Sequence, residues 1–259
     1  AAGKTGAASY PMTHPEAAEA EAVGRLLRLA QAADAPVILS PITCRESLLE
    51  LERARQRGQS AYATTCPQYL LLDDSVYYEG ENASRYVCSP PLRDRSQQEP
   101  LWKALRRDSV QAVASSHRAF TLRQKETDPQ DFTAIPAGLP GAENRGELLY
   151  TFGVSARRLA PEDLCRVLSE APARLCGLYP KKGVLQPGSD ADIVVYDPRA
   201  SHVIRADDSL SRSDYNPYEG FVTSGGVTQV YLRGRLAVDQ GAVLPAPDGR
   251  YLPRGKNSL

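Results

Sequence analysis

The sequence predicts an α/β fold in which parallel strands, arranged as an open sheet or a barrel, are followed by a small β-rich tail. Short apolar runs alternate with helix-period segments over the first two-thirds of the chain. Helix-start patterns of the form Thr/Ser-x-x-Glu open three of those segments. After Pro180 the pattern changes to strands punctuated by Gly and Pro.

In order, residues 16–33 read as a helix with Val23, Leu26, Leu27 and Ala30 on one face, opened by a Thr13–Glu16 capping box. The run 36–40 then reads as a strand buried on both faces, stopping at Pro41. A Thr43–Glu46 box opens a helix with Leu48, Leu49 and Leu51, and Gly58 supplies its left-handed stop. Arg53, Arg55 and Arg57 alternate with Glu50 and Glu52 on that helix and read as a solvated face. Residues 62–66 and 86–88 are strand candidates, the second ended by Pro90 and Pro91. A Ser96–Glu99 box opens a helix with Leu101, Trp102 and Leu105, and 110–117 reads as the next buried strand. Residues 121–141 form a long polar loop, a length that is uncommon inside a domain and often functional. Helices follow at 142–152, 161–170 and 172–176, and strands at 191–197, 227–232 and 235–238 around Arg233 and Gly234.

Composition narrows the class of function. The 259 residues are 42% apolar and 24% charged, as in ordinary globular domains. Lys and Arg total 31 and Asp and Glu total 31, so no net field gathers nucleic acid or an anionic membrane. No run is long enough to span a bilayer. The five cysteines, at 44, 66, 88, 165 and 176, are scattered and odd in number, which argues against a disulfide framework and for a cytoplasmic setting. Cys66 and Cys88 read as buried structural thiols. Only His14, His117 and His202 could offer imidazole to a metal.

Four segments together resemble the hydantoinase and dihydropyrimidinase family of cyclic amidohydrolases, with its non-catalytic relatives, the collapsin response mediator proteins. They are Thr-Thr-Cys-Pro-Gln-Tyr-Leu-Leu-Leu-Asp at 64–73, Ser-Pro-Pro-Leu-Arg at 89–93, Gly-Leu-Pro-Gly-Ala-Glu-Asn-Arg at 138–145 and Pro-Gly-Ser-Asp-Ala-Asp-Ile-Val at 187–194. Asp-Tyr-Asn-Pro-Tyr-Glu-Gly at 214–220 and Gly-Arg-Tyr-Leu-Pro-Arg at 249–254 fit the same pattern. The resemblance implies the C-terminal part of a TIM-type (β/α)8 metal-dependent-hydrolase barrel, over 1–180, and the C-terminal share of a small β-sandwich, over 181–259. It also implies that the first barrel strands are lacking, so either a partner chain or a longer polypeptide completes the barrel, with homo-oligomerisation as a further expectation.

The family's chemistry, by the same resemblance, uses two divalent metals, usually zinc, to turn water into hydroxide and polarise a cyclic amide. Two of the ligand positions fall within this chain. The resemblance puts a His where Pro41 stands and a metal-binding, proton-shuttling Asp where Ser116 stands. Proline offers no lone pair, and a neutral hydroxyl is a poor ligand and a negligible base. Ser89 matches a ureide-contacting position and is the one candidate substrate-binding residue retained, although capping the turn at Pro90 and Pro91 is its simpler role. A second ureide contact, through backbone, falls on Ala137. His117 ends a strand but is not the family's ligand, and an adjacent Ser116 nucleophile is disfavoured because neighbouring strand residues face opposite ways. Asp190 and Asp192 read as structural.

The expectation is therefore a hydantoinase-like protein without catalytic residues or cofactor of its own, acting as an assembly or interaction module, with neither nucleic acid nor membrane as partner. The alternative is a metal-dependent hydrolase opening the cyclic amide of dihydropyrimidines or 5-substituted hydantoins, its missing ligands coming from an N-terminal half.

Overall fold

The computed structural model describes residues 3–245, 249–256 and 258–259. The chain forms two compact units, Ala1–Arg145 with Ile204–Phe221, and Gly146–Val203 with Val222–Leu259.

The first unit is built on a three-stranded parallel sheet, β1 (Val37–Leu39), β2 (Ala61–Thr65) and β3 (Ala112–Val113), in that spatial order. Leu39 lies opposite Ala63 and Thr65 opposite Val113, and these four side chains are buried. Ile38, opposite Tyr62, points to the other face and is 46% exposed, so β1 is not the doubly buried strand its apolar run suggests. β3 is shorter than the run 110–117. After Ala114 donates its amide to the Thr65 carbonyl (2.8 Å), the chain leaves the ladder through Ser116, whose φ is +48°.

Helices Glu16–Ala32, Arg45–Gln56 and Gln98–Arg106 form where their periodicity predicts, but none opens with the expected box. Thr13 donates its hydroxyl to the Tyr10 carbonyl (2.7 Å), and Pro15 stands at the cap position of the first helix. Thr43 donates its hydroxyl to the Glu19 carboxylate. Ser96 lies in a 3-10 turn and gives its amide to Asp94 (2.8 Å). In the first two cases the predicted capping hydroxyl has another acceptor, and in the third the cap oxygen comes from an Asp two residues upstream. In the first helix Val23 and Leu27 are buried, whereas Leu26 is 50% exposed. Gly58 ends the second helix at φ +80° as expected.

Arg55 departs from the solvated face assigned to it. Its guanidinium turns inward and donates to the carbonyls of Ala61 (2.7 Å) and Ser109 (2.8 Å) and to the side-chain oxygen of Gln111 (2.8 Å). The segment 86–88 is not a strand: Tyr86 closes a 3-10 stretch from Gly80, and Val87 follows in extended conformation. The loop 121–141 contains a short helix, Leu122–Lys125, with a reciprocal Thr121–Gln124 capping box. Lys125 is fully buried and donates to the carbonyls of Val87 (2.6 Å) and Pro136 (2.8 Å).

The second unit carries helical residues at 146–155 and 161–175, both stretches containing wider π-type turns, Tyr150–Ser155 and Arg166–Glu170, and a four-stranded antiparallel sheet. Its strands β4 (Ile193–Val203), β5 (Val222–Leu232), β6 (Arg235–Asp239) and β7 (Ala242–Val243) lie in chain order. Val194, Val230, Val238 and Val243 stand in one cross-strand row. Arg233 and Gly234, both at positive φ, make the two-residue turn between β5 and β6. The Tyr196 and Tyr150 rings meet at a tilt of 44° with centroids 4.5 Å apart, and a Cβ at Gly225 would stand 2.3 Å from the Tyr196 ring. Asp190 and Asp192 both pair with Lys182, and Asp192 also accepts the Arg233 amide (2.8 Å), so their role is structural. No helix among the described residues is long and apolar enough to cross a membrane.

Candidate functional site

In barrel-type folds chemistry gathers where parallel strands end at their carboxyl side, and in the first unit these ends carry hydroxyl groups. Ser40 follows β1 and its hydroxyl lies 2.7 Å from that of Thr64 on β2. Pro41 comes next, after which Ile42 donates its amide to the Thr64 carbonyl (2.8 Å). Beyond β3 come Ser115, which accepts the His117 amide (3.3 Å), and the exposed Ser116. Arg145 donates to the carbonyl of Val113 (3.3 Å), and burial lowers its guanidinium below the ordinary value.

His117 belongs to the loop beyond the strand. Its Nδ1 accepts the amides of Gly141 (3.2 Å) and Ala142 (3.3 Å), which assigns the ring hydrogen to Nε2. The imidazole lines a cavity of about 230 Å³ with Glu143, Asn144, Ser209 and Asn216. Glu143 is already engaged, accepting from the Ser209 hydroxyl and from the amides of Leu210 (2.6 Å) and Ser211 (3.3 Å). Asn216 donates its side-chain amide to Asn144 (2.9 Å), joining two of the motif segments from the sequence. Nothing in the spacing of 143–144 and 209–216 signals that they meet.

Ser89 is exposed, within hydrogen-bonding reach of the Tyr10 phenol. The turn beside it is held at the Pro90 carbonyl, which accepts from the Tyr69 phenol (2.9 Å) and the Cys88 thiol (3.3 Å). Ala137 precedes Gly138, whose amide donates to Val87 (3.0 Å). Burial pushes the thiols of Cys44 and Cys66 up to about 12 and that of Cys88 to about 11, which leaves them protonated at neutral pH. His202 pairs with Glu147 at 3.1 Å in the second unit. His14, at the surface, bonds Thr13 (2.7 Å).

The donor set does not fit a dinuclear metal centre. Pro41 has no donor atom in its side chain, Ser116 offers a neutral hydroxyl, and the one strand-end imidazole spends Nδ1 on two amides. Among the described residues, no group of three or more His, Cys, Asp and Glu could hold a metal ion.

Comparison with known proteins places this geometry. The profile of the amidohydrolase family matches residues 11–237. The D-phenylhydantoinase of Escherichia coli O127:H6 is 38% identical over 257 residues, which is 98% of this chain and 56% of that protein. A crystal structure of a D-hydantoinase superposes with a TM-score of 0.95 at 36% identity, covering 99% of this chain and 56% of the other. The dihydropyrimidinase from Brevibacillus agri NCHU1002 gives 0.91 at 36% identity, covering 93% and 53%. The chain thus spans 56% of the length of the curated relative. The parallel sheet with its helices and the antiparallel sheet are parts of a TIM-barrel amidohydrolase with its β-sandwich. Matched along nearly all its length in both sequence and shape, the chain belongs to the amidohydrolase family, and within it is similar to hydantoinases and dihydropyrimidinases.

Proposed function

We propose that this chain is a hydantoinase-like protein that does not open cyclic ureides and that serves as an assembly or interaction module. The observation that carries this reading is the chemistry of two strand ends. Pro41 and Ser116 stand where the family resemblance calls for an imidazole and a carboxylate, and neither offers a strong metal donor or a base. Further ligands contributed by additional chain would still leave these two positions empty of donors. The assembly role is supported by Ile38, an apolar side chain 46% exposed on the outer strand β1.

The test is direct. Protein incubated with Zn²⁺ or Mn²⁺ is assayed for ring opening of dihydrouracil and hydantoin, alongside measurement of bound metal and native mass. The reading expects no metal-dependent hydrolysis above buffer and a mass above that of one chain. Two tightly held divalent ions per chain, with turnover, overturn it in favour of a metal-dependent cyclic amidohydrolase.

A further inference from the structure

We draw no further inference here: the strongest candidate, the row of Val194, Val230, Val238 and Val243 across the antiparallel sheet of the second unit, with Val194 59% and Val243 67% exposed, is an apolar surface patch, and nothing in the structure shows what covers it.

Discussion

The guanidinium of Arg93 lies 2.9 Å from the carboxylate of Glu19, and the two side chains are only 5% and 10% exposed. Glu19 also accepts the Thr43 amide (2.9 Å) and the Ser47 hydroxyl (2.8 Å), while Arg93 reaches the Thr43 hydroxyl (2.9 Å) and the His14 carbonyl. One buried pair thus joins the first helix, the start of the second and the segment after Pro91. Removing one partner strands the other charge away from water. Glu19→Ala is expected to cost about 3–5 kcal/mol, and adding Arg93→Met to recover part of that loss. Midpoints and slopes of urea unfolding for the two singles and the double measure it; additive losses would refute the coupling.

Lys125 gives a pH dependence with a definite sign. Burial lowers its ammonium from the ordinary 10.5 to about 8. The unfolded chain therefore holds the proton more tightly than the folded one, and stability rises as pH climbs from about 8 to 10.5. Below about 8 the full penalty of burying the charge is present; above 10.5 it is gone. Lys125→Met removes this slope, so the difference in stability between wild type and variant grows across the window. The variant also takes the ammonium donor from the Pro136 carbonyl, while Val87 keeps the Gly138 amide, and is less stable throughout by about 1–3 kcal/mol. Unfolding curves of both proteins at several pH values supply the difference.

Thiol chemistry separates the five cysteines. Cys44, Cys66 and Cys88 are buried and held protonated, whereas Cys165 and Cys176 are exposed. A chromogenic disulfide reagent at mildly alkaline pH is expected to titrate two thiols in the native protein and five in denaturant. Fast reaction of a third native thiol contradicts the burial described.

Ser116 tests the strand end itself. At φ +48° it occupies a region that Asp and Asn tolerate better than most residues and β-branched side chains resist. Ser116→Asp should leave stability within about 0.5 kcal/mol of wild type, and Ser116→Val should cost about 1–2 kcal/mol. With Pro41 unchanged, the Asp variant still binds no Zn²⁺ above the wild-type level by calorimetry. Tight zinc binding by that variant alone would show that the missing carboxylate was the whole defect.

How far the sequence discloses this molecule can be seen residue by residue. The stop at Gly58 and the turn at Arg233 and Gly234 are written in local chemistry and form as read, and the alternation of strands and helices forms apart from the segment 86–88 and the shortened run 110–117. The capping boxes at Thr13, Thr43 and Ser96 are equally local patterns, yet they fail. For Thr43 the better acceptor, Glu19, lies 24 residues away, and no local rule sees it. Val87 looks like strand because it is apolar between Tyr86 and Cys88, but its carbonyl is taken by Lys125, and a neighbouring strand never claims it. Lys125 and Arg55 were unreadable for a related reason: charged residues on polar stretches signal solvent until a carbonyl far along the chain is brought within reach. At the site, Pro41, Ser116 and Ser89 are visible because they stand in recognisable strings of residues.

Arg55 fastens the amino ends of the sheet, gripping the first residue of β2 and the lead-in to β3 at Ser109 and Gln111. Pro41 and Ser116 lie at the opposite, carboxyl ends of strands of the same sheet. A framework riveted at its base lets its rim change composition without coming apart, so substitutions at the strand ends are separable from the stability of the sheet.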